Sequence, residues 1–196
     1  DTLHGVASLN QVKEKDVFLN YTLKTARYTF DCPLVSGAIL AGAPEKDVKK
    51  LSELGILVGQ AFQIQDDVIG IFDTQKNIGK SILSDLAESK KTILVTHAYE
   101  KLSPKNRREF KKFFEKEKKT YKDLVAARKI FINEGSLDYS LQAVSTRFDK
   151  SLKILDKLSM QKKYKDVVIK AIHQLFQHSN RIAIENNSKV IIGTRS

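Results

Sequence analysis

The sequence predicts an all-α bundle, with residues 1–196 folded as one domain. Three observations carry that expectation. Glycine and proline are scarce, 9 and 3 in 196 residues, too few for a sheet with many turns. Apolar residues recur every three or four positions over several long stretches. No internal repeat or low-complexity segment divides the chain, and its length suits a single core.

The elements follow in order. Residues 3–10 read as the tail of a helix. A long helix is expected over 15–30, with Val17, Phe18, Tyr21 and Tyr28 among its apolar positions. Cys32-Pro33 should break it, and Pro33 suits the first turn of a helix over 34–41. That segment is small and apolar (Ser36, Gly37, Ala38, Ala41), so another helix can approach it closely. After a turn at Ala43-Pro44, a central helix over 45–72 carries Leu51, Leu54, Val58, Phe62 and Gln65 on one stripe. Residues 73–84 read as a polar loop, followed by a helix over 91–102. Ser103 is a plausible N-cap with Pro104 at the first helical position. Residues 111–122 are densely basic and read as a solvated face. Helices are expected over 121–133, stopped by Gly135, over 136–160, and over 164–178.

Charge narrows the partners. Lys plus Arg exceeds Asp plus Glu by 34 − 23 = +11, which suggests phosphates, nucleic acid or a membrane surface. The single cysteine, Cys32, cannot form an intrachain disulfide, which fits a reducing compartment. No apolar run is long enough to span a bilayer and no signal-peptide pattern is visible, so a soluble, cytoplasmic protein is expected.

The chemistry concentrates at the end of the central helix. Gln63, Asp66, Asp67 and Gly70 fall at helical spacings on one face, and Asp73 lies a turn further on. Adjacent carboxylates on a mostly apolar helix are costly to bury unless a cation neutralises them. No Lys or Arg occurs between Lys50 and Lys76, so a hard divalent cation such as Mg²⁺ is the candidate, completed by water and phosphate oxygens. Lys24-Thr25 upstream and Gly79-Lys80, Asp85 and Lys90-Lys91-Thr92 downstream supply the phosphate side.

Taken together, FQIQDD at 62–67, then Gly79-Lys80, then Asp85 with Lys90 and Thr92, and Lys24-Thr25 before them, resemble the second aspartate-rich region and the KT pair of the polyprenyl (isoprenyl) diphosphate synthases. The stretch DDVIG…IGKSILSDLAESKKTILV is most similar to the archaeal geranylgeranyl and farnesyl diphosphate synthases. The resemblance runs from about Gly5 to Ser136-Leu137-Asp138-Tyr139. It implies an isoprenoid-synthase-type helical bundle, here lacking its N-terminal helices, because the family's first aspartate-rich motif is absent from this sequence. It also implies Mg²⁺-dependent condensation of an allylic diphosphate with isopentenyl diphosphate by a homodimer, and a chain with one metal wall alone is expected to be inactive.

The resemblance further implies roles. Asp66 ligates Mg²⁺ directly, Asp67 supports that metal site, Gln63 is a nearby polar partner, and Asp85 stands one step behind the ligands. Lys24, Thr25, Lys80 and Lys90 lie on the substrate diphosphate, with Asp66 and Lys80 carrying catalysis. Lys91 has no counterpart and is read as surface. Two positions depart from the family pattern: Gly70 stands where a third aspartate is frequent, and Val6 where a glutamine often follows glycine. The loop 74–84 is expected to be mobile without diphosphate, with Lys80 in solvent. His4, His97, His173 and His178 show no ligand spacing, and Phe30, Phe62 and Phe72 read as core rather than carbocation-facing, though Phe62 could do both. Two other classes remain: a truncated or non-catalytic subunit, and a basic helical nucleic-acid-binding module resting on the charge and the 111–122 run.

Overall fold

A computed structural model describes residues 7–73, 86 and 88–193. Among them every regular element is helical, as composition and periodicity predict. None of the described helices is long and apolar enough to cross a membrane.

The predicted helical tail over 3–10 is not found in its described part, where Leu9–Gln11 form only a single 3₁₀ turn. Helix α1 (Glu14–Tyr21) starts where the Asp16 carboxylate accepts the Lys13 amide at 2.9 Å. It runs without interruption into a π-helical segment, Thr22–Asp31, and from there into α2 (Cys32–Leu40). The break expected at Cys32-Pro33 does not occur. The Cys32 amide bonds to the Arg27 carbonyl, five residues back. That wider turn moves the carbonyls away from the pyrrolidine ring, so Pro33 opens α2 without a clash. Gly42, at φ +68°, ends α2 in the left-handed region open to glycine.

Helix α3 (Glu45–Phe72) has the predicted bounds and, at 28 residues, a length of about 42 Å. It is the axis of the bundle. Leu54, Val58, Ala61, Ile64 and Val68 are all buried along it. After residues 74–85, which lie outside the described part, come α4 (Ile93–Lys101), α5 (Pro104–Phe114) and α6 (Tyr121–Asn133). The Ser103 hydroxyl caps α5 by accepting the Asn106 amide at 3.3 Å, as predicted. Thr120 and Asp123 cap α6 reciprocally, with the Thr120 amide bonded to the Asp123 carboxylate at 2.7 Å. Gly135 turns the chain at φ +69° into α7 (Ser136–Asp156), which packs along α3.

Two boundaries differ from the sequence expectation. Helix α7 stops before residue 160 because the Ser159 amide is taken by the Asp47 carboxylate of α3 at 3.1 Å, while Lys157 and Leu158 close tighter turns onto Ile154 and Leu155. The last helix is two, α8 (Lys162–Leu175) and α9 (Gln177–Glu185), hinged at Phe176, whose ring is buried. No glycine or proline marks that hinge; burial of Phe176 against Phe148 does.

The contact that positions the site is between α3 and the π segment. A Cβ on Gly59 would lie 2.4 Å from the Ala26 Cα, and one on Gly55 2.7 Å from the Asp31 Cα. Both glycines therefore admit the neighbouring backbone where any side chain would not fit. Gly59→Ala is expected to lower stability by roughly 2–4 kcal/mol, since neither backbone can yield cheaply. Gly37→Ala, with nothing within 4 Å of the added methyl, should be neutral or stabilising. Urea denaturation of both variants checks this; equal stabilities would refute the close-approach argument.

Candidate functional site

The close approach brings Thr25 onto α3. Its hydroxyl donates to the Gln63 carbonyl oxygen at 2.5 Å. The amide group of the same glutamine then donates to Asp66 and to Asp67, at 3.3 Å each. Only one orientation of the amide satisfies a hydroxyl on one side and two carboxylates on the other. Gln63 thus ties Thr25 to both acids, with Gln63, Asp66 and Asp67 meeting at the helical spacing the sequence shows.

Asp66 and Asp67 differ sharply in surroundings. Asp66 is exposed, while Asp67 is buried at 6% exposure. The hydroxyl of Tyr21 donates to the Asp67 carboxylate and accepts the Ile93 amide at 3.1 Å, so one buried side chain joins α1, α3 and the first turn of α4. Burial pushes the Asp67 carboxyl up from 3.8 to about 7, the Asp66 charge adds to this, and the bonds from Tyr21 and Gln63 oppose it. Burial also holds the Tyr21 hydroxyl well above its ordinary range, reinforced by the Asp67 charge.

A cavity of about 230 Å³ opens beside Asp67. One wall is Asn20, Tyr21, Lys24, Gln63 and Asp67; the other is the turn 88–92, which ends in Thr92, the N-cap of α4. Three lysines, Lys24, Lys90 and Lys91, therefore converge on the space next to the acids. Lys90 pairs with Glu88 at 3.2 Å. Lys91, expected on the surface, instead lines this cavity, and partial burial lowers its pKa. Asp66 opens onto a second cavity of about 290 Å³, bounded by Phe62, Ile69, Leu175 and His178. Phe62 is thus partly at a cavity rather than wholly in the core.

Asp73, a turn beyond the acids, serves the scaffold. Its buried carboxylate is bonded by Arg181 of α9, and its carbonyl accepts from Arg128 at 2.9 Å. Gly79, Lys80 and Asp85 lie outside the described residues, as does the loop 74–84.

Sequence reasoning missed Tyr21, which it placed among ordinary apolar positions. The available signal was spacing: Tyr21 precedes Thr25 by four residues and so faces the same neighbour. Arg181, Arg128 and Ser89 gave no comparable signal.

Among the described residues no group of three or more His, Cys, Asp or Glu could cage a metal by itself. The donor set is two adjacent carboxylates beside a lysine-lined cavity. That fits a hard divalent cation sharing its coordination with water and phosphate oxygens, and does not fit an all-protein cage.

Comparison with known proteins bears on the family and the fold. The family model described as polyprenyl synthetase matches residues 6–131. The geranylgeranyl diphosphate synthase of Sulfolobus acidocaldarius is 30% identical over 170 residues, covering 87% of this chain and 50% of that enzyme. The crystal structure of geranylgeranyl pyrophosphate synthetase from Pyrococcus horikoshii superposes with a TM-score of 0.79 at 27% identity, covering 90% of this chain and 52% of that one. A geranylgeranyl pyrophosphate synthase from Corynebacterium glutamicum, complexed with isoprenyl diphosphate and magnesium, shares the fold with a TM-score of 0.77 at 23% identity, over 84% of this chain and 46% of that one. The chain spans about half the length of the curated relatives it matches.

The buried carboxyl of Asp67 sets a pH dependence. Its folded pKa is raised, so its stabilising contribution is complete below the ordinary value of 3.8 and is lost as pH rises through about 7. At pH 8 the metal-free chain then holds a desolvated carboxylate. Asp67→Asn should raise the metal-free stability at pH 8 by roughly 2–4 kcal/mol, with a smaller gain at pH 5. Denaturant titrations at the two pH values check this, and a gain independent of pH would contradict it.

Proposed function

This chain belongs to the polyprenyl synthetase family, and we propose that it forms one metal-and-diphosphate wall of a prenyltransferase that condenses an allylic diphosphate with isopentenyl diphosphate. The observation that carries the reading is the hydrogen-bonded path from Thr25 through Gln63 to Asp66 and Asp67, flanked by Lys24, Lys90 and Lys91. Buried or paired acids without a cation would repel a diphosphate; with lysines opposite them, the same acids suit a metal-bridged one.

On this reading Asp66, exposed and bonded by Gln63, is the direct ligand of Mg²⁺, and Asp67, fixed by Tyr21 and Gln63, supports it. Mg²⁺ held by these residues would supply positive charge against the departing diphosphate. The chain's own residues do the rest. Lys24 and Lys90, with Lys80 from the sequence match, orient the diphosphate and stabilise its leaving charge electrostatically. Thr25 keeps the Gln63 amide turned toward the acids. As the carbon–oxygen bond of the allylic diphosphate breaks, the isopentenyl double bond attacks the allylic carbon and a proton is lost. The apolar side of the second cavity, Phe62, Ile69 and Leu175, is suited to an isoprenoid chain and to exclusion of water. Asp85 would act behind the ligands.

The same proposal covers the whole chain as one domain, a cytoplasmic location and a homodimer without a nucleic-acid partner. Leu19, Leu23, Tyr28, Ile39 and Leu40, all exposed along the α1–π–α2 rod, support a packing partner there. Sedimentation equilibrium is the check on that assembly, a monomer at tens of micromolar being the contrary result.

Calorimetry of the chain with inorganic pyrophosphate tests the site. Binding should require Mg²⁺, and Asp66→Ala should weaken it at least tenfold while leaving the melting temperature within a few degrees. Pyrophosphate uptake that ignores both Mg²⁺ and Asp66→Ala would defeat the metal assignment.

A further inference from the structure

The turn 88–92, which forms the second wall of the cavity, is held from behind by a lysine of the basic run. Lys119 was expected in the solvated face 111–122, yet it is only 9% exposed. Its ammonium donates to the Ser89 hydroxyl at 2.7 Å and to the Lys116 carbonyl at 3.0 Å. It also sits 5.7 Å from the centre of the Phe114 ring. The Ser89 hydroxyl in turn donates to the Phe114 carbonyl at 2.8 Å, so its donor and acceptor capacities are both used. Ser89 itself is left-handed, at φ +50°, a conformation uncommon for a residue other than glycine. It stands directly before Lys90 and Lys91.

These facts fit together in one way. A left-handed serine reverses the chain so that the next two lysines face the cavity, and its side chain must be anchored for that conformation to persist. A neutral donor could anchor a hydroxyl. A buried ammonium is the costlier choice, and both hydrogen-bond acceptors it reaches are neutral oxygens. What the ammonium adds is positive charge behind a wall that faces an anion site.

We propose that Lys119 is a positioning residue for the diphosphate wall: through Ser89 it fixes the turn that presents Lys90 and Lys91, and its buried charge strengthens the cavity's attraction for phosphate. The proposal rests on the reading of this cavity as a diphosphate site. It assigns a function to one lysine of a run that otherwise reads as solvated surface.

The test is calorimetric titration of the chain with inorganic pyrophosphate in Mg²⁺, for wild type, Lys119→Met, Lys119→Arg, Ser89→Ala and the double variant Lys119→Met/Ser89→Ala. Lys119→Met keeps the unbranched stem without the ammonium and should weaken binding roughly tenfold, the scale of a charged hydrogen bond. Lys119→Arg keeps a charged donor and should lose less. If Lys119 works through Ser89, the double variant binds far more tightly than the two single losses multiplied would give. Wild-type affinity in Lys119→Met, or losses that multiply fully, would overturn the proposal. Should the wild-type chain take up no pyrophosphate at all, the function reading fails by itself, and the positioning claim is decided on the free chain. There Lys119→Met must speed amide hydrogen exchange at Ser89 and Thr92, and unchanged exchange at both overturns it.

Discussion

The structure depends on the contact of two backbones, at Gly59 against Ala26 and Gly55 against Asp31. Without that contact the π segment would stand a side-chain's width from α3, and the Thr25 hydroxyl would not reach Gln63 at 2.5 Å. The π register serves the same end. It lets α1, the π segment and α2 form one continuous rod through Pro33, so Tyr21, Lys24 and Thr25 are carried by a rigid element. One packing choice between two helices thereby sets the relation between the residues suited to phosphate and those suited to metal.

A second constraint is the placement of polar groups inside the bundle. Gln65 is buried and bonded at both ends: its amide donates to the Leu175 carbonyl at 2.6 Å and its oxygen accepts from the Ser179 hydroxyl at 2.8 Å. Gln60 accepts from Arg147 at 2.9 Å and donates to the Thr22 hydroxyl at 2.8 Å. Arg147 also lies over the Phe18 ring at 4.1 Å. These bonds make α3 the hub to which α1, the π segment, α7, α8 and α9 are fastened. Asp67 is the exception. It is buried and hydrogen-bonded, yet its carboxyl is raised to about 7 because burial outweighs the bonds it accepts. A buried carboxyl whose acidity is shifted this far beside a cavity is the pattern of a group placed for a ligand.

The two cavities divide the chemistry around that group. One is lysine-rich and lies on the Asp67 side; the other is largely apolar and lies on the Asp66 side. Adjacent residues on a helix point about 100° apart, so a pair of aspartates is enough to address both. The polar space suits a diphosphate and the apolar space a hydrocarbon, with the acid pair at their junction.

The sequence by itself determined the helices whose boundaries are written in local chemistry. Glu45–Phe72 and Tyr121–Asn133 came out at their predicted ends, because Pro44, Thr120 and Gly135 act on their nearest neighbours. Spacing along the central helix also puts Gln63 on one face with Asp66 and Asp67, whereas the link to Thr25 depends on a second helix. Tertiary structure decided the rest. Pro33 does not break the rod, because a π turn with register set by packing on α3 makes room for its ring. Helix α7 stops early because Asp47, more than a hundred residues away in sequence, claims the Ser159 amide. Lys119 is buried although its neighbours are solvated, because Ser89, from the turn before α4, meets it. Asp67 has a perturbed acidity because Tyr21 and the first turn of α4 close over it. Each of these depends on a partner distant in sequence, and local periodicity carries no information about which distant group will arrive.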